Sequence, residues 1–399
     1  MLKIDSSKKY TFVCLLTNIA EFLVDSFATL YLLQKGASYQ QIGIMWTLYL
    51  GMTAITDYPT GGFSDRFGRR KIYAIGILLT SLSYFMILSH TIPVLYISYA
   101  IKGLGTSFIS GSFISWLASD LRDKDKFKRT IAHTKLITNL CSFILPIISL
   151  SFTSIKIDNV FLFSAIVHLF VGLFTLIAMK ENYGSQTTMI RIYKESFLYY
   201  IHNKILLFIT FVNIALYLFF TIFYYAWQPI TNNIVNNNKY IPLFYGIYTL
   251  SSGISAYVMK FIHIYSTKKL SILIMLLYCM SFISFYCANN LAMLTFLIIA
   301  MVLFGTSGGV IFMLTNVFIN DNAINEYKSS IYSLISSICT MCNVIFQYIF
   351  GRIIDYYGLS NLIFGGIILS SVLVVGFFFV KKKAEPENVI SAVAGKNLQ

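Results

Sequence analysis

The chain has 399 residues, of which 57% are hydrophobic and only 12% are charged, and its net charge is +14. Soluble domains carry about 25% charged residues, so this composition excludes an ordinary soluble enzyme or binding domain. Apolar runs long enough to cross a bilayer recur along the chain, for example at 161–179 and 362–380.

The apolar runs are continuous, which predicts helices, because a transmembrane β-barrel would show short segments that alternate at period two. The polar first ten residues lead into a span that contains two acids, so we expect no cleaved signal peptide. The sequence therefore predicts an all-α polytopic membrane protein of twelve transmembrane helices. In chain order the expected spans are 10–34, 41–62, 71–89, 93–119, 130–152, 159–179, 204–230, 241–263, 270–288, 291–317, 328–351 and 360–380.

Lysine and arginine are strongly biased to one side of these spans. The segments opposite the termini contain only Lys35, Lys156, Lys239 and Arg352, whereas most other basic residues fall at the termini or in segments on their side. Cytoplasmic segments are enriched in Lys and Arg, so we expect both termini in the cytoplasm, at a bacterial plasma membrane. The net charge is then a topology signal, and no nucleic-acid partner is expected.

The two halves of the chain resemble each other at an offset of about 200 residues. Segment 104–107 matches 304–307, and 127–131 matches 327–331. We interpret the matches as a parallel duplication, with a substrate site expected at the midplane between the halves. The predicted units are a six-helix half at 1–180, an inter-half linker at 181–203, a second six-helix half at 204–383 and a cytoplasmic tail at 384–399.

One short loop is the most specific motif in the chain. Between the second and third spans the sequence reads Gly61-Gly62-Phe63-Ser64-Asp65-Arg66-Phe67-Gly68-Arg69-Arg70-Lys71. This loop resembles the G-x-L-A-D-R-x-G-R-K signature of the major facilitator superfamily. The preceding Asp57-Tyr58-Pro59-Thr60-Gly61 is similar to the acid-x-Pro-Thr-Gly sequence that precedes this loop in many members of the family, especially exporters. The resemblance implies twelve spans, two pseudo-symmetric halves and transport of a small molecule.

The resemblance also implies a conformational latch. In the family the aspartate of this loop lies near the N-terminus of a helix in the other half, where the helix dipole favours an anion. The basic residues pair with an acid at the end of the fourth span. The latch residues here would be Gly61, Asp65, Arg66, Gly68, Arg69, Arg70 and Asp120. The alternative is that the basic cluster only sets the topology.

Ionisable residues inside the first half are the candidates for proton coupling. Glu21 and Asp25 share a face of the first span with Asn18, and Lys102 lies at a depth similar to that of Asp25 on the fourth. Such groups usually face a bundle interior or an aqueous cavity and mark function. We expect Lys102 to pair with Asp25 or Glu21. Burial favours the neutral form of the second acid, which can then carry a proton or a cationic substrate. The alternative is a purely structural ion pair.

His168 and the second half offer neutral polar groups. We interpret His168, on the sixth span, as a hydrogen-bonded packing residue in preference to a proton relay. Two helical faces on spans seven and eleven are expected to bind substrate, together with Asn18; these residues are Asn213, Tyr217, Phe220, Tyr224, Asn343 and Gln347. Aromatic faces suit flat or cationic organic molecules. Tyr224, with Tyr225 and Trp227, could instead belong to an interfacial aromatic belt.

The function that these features favour is proton-coupled export of small amphipathic organic compounds. One departure weakens the comparison with drug–proton antiporters, since only Pro146 matches their glycine-rich signature in the fifth span. An importer or facilitator of a polar metabolite remains open, as does a non-transporting receptor or scaffold. A membrane enzyme is disfavoured because no nucleophile–base set is evident. We expect reduced cysteines, no metal at Cys339 and Cys342, no cofactor and a monomer.

Overall fold

A computed structural model describes residues 5–110, 112–121, 123–149, 156–183, 197–259, 267–322 and 328–379. Across these ranges the chain is helical without strands, which confirms the predicted all-α class. The helices are α1 Ser6–Gln34, α2 Tyr39–Phe67, α3 Arg69–Met86, α4 Ile92–Ile109, α5 Ser112–Leu121, α6 Lys124–Ser149, α7 Ile157–Ala178, α8 Lys204–Val235, α9 Ile241–Val258, α10 Thr267–Leu291, α11 Leu294–Asn322, α12 Lys328–Tyr357 and α13 Leu359–Phe379.

Eight helical segments within the described ranges are long and apolar enough to cross a membrane. One of them, Ile92–Leu121, combines α4 and α5. The remaining helices, α2, α3, α9 and α13, lie at predicted spans, so the architecture is consistent with twelve crossings.

The fourth predicted span is interrupted, which the sequence pattern did not predict. The helix stops at Ser110, whose backbone is extended (φ −56°, ψ 127°), and begins again at Ser112. The interruption falls at Ser110, and serine is a weak helix former. The predicted linker and tail lie largely outside the residues that the structure describes. Most of the linker 181–203 and the whole tail 384–399 lie outside them, although 197–202 is helical.

Helix ends follow local signals. Ser38 starts α2 with a capping box, in which its side chain accepts the Gln41 N–H and the Gln41 side chain accepts the Ser38 N–H. Asn203 caps α8 by accepting two backbone N–H groups. Asn236 ends α8 in the left-handed conformation (φ 51°). These signals determine where the helices begin and end.

The packing pattern repeats between the halves. In the first half α2 and α3 pack on α4, and α3 packs on α7; in the second half α9 and α10 pack on α11, and α10 packs on α13. Between the halves α2 packs on α12, and α6 packs on α9. The second and eighth spans therefore hold equivalent positions, as do the fifth and eleventh. This equivalence agrees with the duplication that the sequence indicates.

Candidate functional site

A cavity of about 630 Å³ lies between the helices of the two halves. From the first half it is lined by Asp25 on α1 and by Trp46 and Leu50 on α2. From the second half it is lined by residues of α8, α9, α11 and α12. These residues include Asn213, Leu216, Tyr217, Phe220, Thr221, Tyr224, Tyr248, Ser252, Ile311, Thr315, Ser336, Asn343 and Gln347. The volume is in the range of small-molecule sites.

The residues that we expected at a substrate site converge here, with one exception. Asn213, Tyr217, Phe220, Tyr224, Asn343 and Gln347 all line the cavity. Asn18 is not among the lining residues. Its side-chain oxygen accepts a hydrogen bond of 3.2 Å from Ser142 on α6, so it joins α1 to α6. The helical period correctly put the six residues on faces that line one cavity, while their binding of substrate stays a prediction. The period could not show that Asn18 turns towards α6.

Hydrogen bonds hold part of the polar lining in place. The Thr221 hydroxyl donates to the side-chain oxygen of Asn343 over 2.7 Å and so joins α8 to α12. Asn213 donates to the Ile209 carbonyl within α8 over 2.9 Å. Side chains held in this way present polar atoms to a ligand without first being ordered, which favours binding.

Glu21 is the centre of a charged cluster one helical turn from the cavity. Its carboxylate lies 3.5 Å from the Lys102 ammonium and 3.3 Å from Nε2 of His168. The Lys102 and His168 side chains are 12% and 1% exposed, whereas Glu21 is 36% exposed. Lys102 thus pairs with one of its two predicted partners. Asp25 is left at the cavity wall.

His168 lies in this cluster because α7 packs against α1. Its Nδ1 lies 2.8 Å from the Ser164 carbonyl, and the opposite nitrogen faces Glu21. Our interpretation of His168 as a hydrogen-bonded packing residue is therefore incomplete, since it also contacts the Glu21 carboxylate. Sequence alone did not reveal this contact, because nothing in span six or span one specifies how the two helices are rotated about their axes.

Aromatic rings complete the surroundings of Lys102. The ammonium lies 4.9 Å from the ring centre of Tyr84 on α3 and 5.5 Å from that of Tyr49 on α2. Tyr84 also makes an edge contact with the His168 ring. Ring faces attract a cation, so they stabilise the charged form of Lys102. The third and sixth spans thus contribute Tyr84 and His168 to the surroundings of Lys102 and Glu21.

The aromatic residues beside Tyr224 are core residues. Trp227 and Tyr225 are 0% and 2% exposed, and Trp227 stacks on Tyr245. The alternative that these residues form an interfacial belt is therefore wrong for Tyr225 and Trp227, because a belt residue faces the lipid headgroups. Trp227 faces Tyr245 of α9, whereas Tyr225 faces α12, where its hydroxyl donates to the Gln347 carbonyl over 3.0 Å.

The halves make close contact at one end of the bundle. We call the end where α1 begins the basic end and the other the opposite end. Near the opposite end the Gln228 side chain donates to the backbone carbonyl of Asp25 over 2.8 Å. It also accepts a hydrogen bond of 2.9 Å from the backbone N–H of Leu30. Thr29 donates to the Tyr224 carbonyl across the same interface. Polar groups of α8 therefore clamp the second half of α1.

Helices α2 and α12 also make close contact at this end. The Asp355 carboxylate of α12 accepts the backbone N–H of Tyr39 over 2.9 Å and of Gln40 over 2.7 Å, at the start of α2. Gly43 lies against the Gln347 carbonyl, where a Cβ would collide. We did not identify Asp355 from the sequence as a residue that joins the two halves. A signal was present, because Gly351, Asp355 and Gly358 repeat the spacing of Gly61, Asp65 and Gly68.

At the basic end the signature loop is built around Glu181. Gly68 separates α2 from α3 with a positive φ of 107°, and the Glu181 carboxylate fills the space where a Cβ would lie. That carboxylate accepts the Arg70 N–H over 2.9 Å and lies 3.4 Å from Nε of Arg70. Arg70 also donates to the carbonyls of Leu176 and Met179, which end α7. The loop therefore joins α3 to the end of α7.

The predicted partner Asp120 is replaced by Glu181. Arg69 donates to Ser115 and Ser119 of α5, and within the described ranges Asp120 forms no ion pair with Arg69 or Arg70. The interruption of the fourth span at Ser110 separates α5, which carries Asp120, from the continuous helix that we assumed. The surroundings of Gly61 and the side chain of Asp65 lie outside the described part. The exposed Arg66 contacts the ring of Phe67.

A family model described as Major Facilitator Superfamily matches residues 10–340. The chain belongs to the Major Facilitator Superfamily. The resemblance of the signature loop is thus confirmed, and the long apolar helices agree with an integral membrane protein of this transporter family.

Relatives and solved structures agree with this assignment. The MFS-type transporter YxaM of Bacillus subtilis (strain 168) is 26% identical over 258 residues, which cover 60% of this chain and 61% of YxaM. The multidrug resistance protein MdtL of Shewanella sp. (strain ANA-3) is 27% identical over 170 residues, covering 41% and 43% of the two chains. The nucleoside transporter NupG (D323A mutant) has the same fold, with a TM-score of 0.79, 12% identity and coverage of 94% and 99%.

Proposed function

We propose that this Major Facilitator Superfamily protein exports small amphipathic organic compounds in exchange for protons. The observation that carries the proposal is the position of Asp25. Among the described residues that line the cavity, Asp25 is the charged one, and Glu21 next to it is already engaged by Lys102 and His168. One base facing two acids leaves a carboxylate whose charge is compensated by a proton or by a cationic substrate.

The cavity lining suits an amphipathic guest. Trp46, Tyr217, Phe220, Tyr224 and Tyr248 supply aromatic surface on several sides. Aromatic faces bind flat apolar groups and also attract cations. The neutral side chains of Asn213, Asn343 and Gln347 add hydrogen-bonding groups without fixed charge. A substrate with an apolar body and one basic nitrogen would satisfy all three kinds of contact.

Export by alternating access agrees with where the halves touch. The halves are joined near the opposite end through Asp355 and Gln228, while the cavity extends towards Asn213 and Ser336, near the starts of α8 and α12. If the basic end is cytoplasmic, as the distribution of Lys and Arg indicates, this conformation faces inwards. Asp355 would release the start of α2 in the outward-facing state. Asp65 would then take the corresponding role at the basic end.

The relatives support transport in general but do not point to a substrate class. MdtL is named as a multidrug resistance protein, and it matches less than half of this chain. The likeness to NupG extends over most of the chain, but at 12% identity it concerns the fold alone. The proposed substrate class therefore rests on the cavity.

The test uses purified protein in proteoliposomes with ethidium as an amphipathic cation. A proton gradient across the membrane is expected to drive ethidium accumulation, and ethidium is expected to release protons from the protein in detergent. The double variant Glu21→Gln with Asp25→Asn should lose both signals. Asp158→Asn, which removes an exposed carboxylate paired with Lys35, is the matched control and should keep them.

Three outcomes would contradict the proposal. Full proton coupling in the double variant would exclude Glu21 and Asp25 as proton carriers. Substrate uptake without a counter-flow of protons would indicate an importer or facilitator. Ethidium binding with no flux in any gradient would indicate a receptor.

A further inference from the structure

A second cavity lies at the basic end, away from the site between the halves. It has a volume of about 600 Å³ and is formed by the first turns of α1 and α6. Its lining includes Lys8, Phe12, Lys126, Arg129 and His133. Basic side chains therefore surround a groove at the level where two predicted spans leave the membrane.

The positive charge of this groove is only partly balanced. Lys126 pairs with Asp5, whose carboxylate lies 3.1 Å from its ammonium. Within the described ranges Lys8 and Arg129 form no ion pair, and both side chains are exposed. The two cationic groups are thus available to an anion from outside the chain.

The walls of the groove are held by bonds between the two helices. The hydroxyls of Thr11 and Thr134 lie 2.8 Å apart, and Thr130 donates to the Ser7 hydroxyl over 3.0 Å. The shape of the groove is therefore set by the α1–α6 contact and does not depend on the long basic side chains.

An apolar stripe continues from the groove along α6. Leu136, Leu140, Ile144 and Ile147 follow at helical spacing and are 46–58% exposed. From His133 to Ile147 the helix rises about 20 Å, and one leaflet of the hydrocarbon core is about 15 Å thick. The stripe is long enough to cover an acyl chain whose headgroup occupies the groove.

We propose that the groove between α1 and α6 binds an anionic phospholipid. Its phosphate would contact Lys8 and Arg129, and its acyl chains would lie on the exposed stripe of α6. Basic pockets between helix ends attract anionic headgroups, and each basic side chain near such a surface contributes about fivefold in affinity. This site is independent of the proposed export, because none of its residues lines the central cavity.

The test compares full-length protein in nanodiscs of phosphatidylcholine with or without phosphatidylglycerol. Phosphatidylglycerol should raise the thermal unfolding midpoint and remain bound in native mass spectrometry. In the double variant Lys8→Gln with Arg129→Gln its apparent affinity should fall about 25-fold. Lys180→Gln, which removes an exposed positive charge at the same end, is the control and should bind the lipid normally.

Three results would overturn the site. Equal effects of the two lipids would show that the headgroup charge is not recognised. An equal loss in Lys180→Gln would show a diffuse surface field. Competition by soluble glycerol 3-phosphate at similar concentrations would show a phosphate site that does not need the acyl chains.

Discussion

The His168 imidazole lies 3.3 Å from the Glu21 carboxylate, across the contact between α7 and α1. His168 is almost fully buried, and Glu21 also faces Lys102. This contact joins the proposed proton-coupling residues of α1 and α4 to α7. A change in the charge of Glu21 would therefore alter its contact with His168 on α7 as well as its contact with Lys102 on α4.

Replacement of His168 tests this tie. His168→Leu removes the polar contact to Glu21 and should lower the free energy of unfolding by about 1–3 kcal/mol. His168→Gln retains an amide donor and should recover a large part of the loss. Thermal unfolding in detergent measures both, with the exposed His90→Leu as the control. Equal destabilisation by Gln and Leu would mean that the contact to Glu21 contributes nothing.

The contact between Asp355 and the start of α2 should control closure of the opposite end. Asp355→Ala removes an acceptor of two backbone N–H groups, and loss of such a cap costs about 1 kcal/mol. The equilibrium should move about fivefold towards the state that is open at this end. Spin labels at the exposed residues His90 and Asn361 would report a longer distance. Arg352→Ala, one turn earlier on α12, is the control, and an equal shift there would refute the role of Asp355.

Arg70 should stabilise the basic end more than its neighbour does. Arg70→Ala removes the ion pair with Glu181 and two bonds to the last carbonyls of α7. We expect a loss of about 1–3 kcal/mol in the free energy of unfolding. Lys71→Ala removes an exposed cation from the same turn and should cost less than about 1 kcal/mol. Similar losses in the two variants, measured by thermal unfolding, would show that only the net charge matters.

Asp65 is the remaining test of the latch. Asp65→Asn removes an anion that the family resemblance places at a helix N-terminus, an interaction of up to about 1 kcal/mol. Transport in proteoliposomes should slow by up to about fivefold, while ethidium affinity stays the same. Asp120→Asn is the matched comparison and should have the smaller effect, since Glu181 holds the position that we first assigned to Asp120. Unchanged transport rates in Asp65→Asn would end the latch hypothesis.

Tyr224 tests the substrate surface. It lines the cavity beside Asp25, and its ring contacts Phe223. Tyr224→Ala should weaken ethidium binding about fivefold, because an aromatic face contributes about 1 kcal/mol to a bound cation. Tyr224→Phe keeps the ring and should bind as the wild type does. The exposed Tyr356→Ala is a control for loss of an aromatic residue, and fluorescence titration measures all three.

The sequence by itself determined the class of the protein and which residues of α8 line the central cavity. Long continuous hydrophobic runs specify membrane helices, because backbone groups in lipid must be bonded internally and a barrel would alternate at period two; the 61–71 loop specified the family. The face of α8 that carries Asn213, Tyr217 and Tyr224 was predicted correctly, because one helix has one period whatever it packs against.

Only the tertiary structure decided which residues meet across helices. The pairing of Lys102 with Glu21, the approach of His168 and the replacement of Asp120 by Glu181 depend on how neighbouring helices are rotated and where α4 stops. The contact of Asp355 with α2 joins residues more than 300 positions apart. Such contacts arise from side-chain packing between elements, and a hydrophobic period carries no information about that packing.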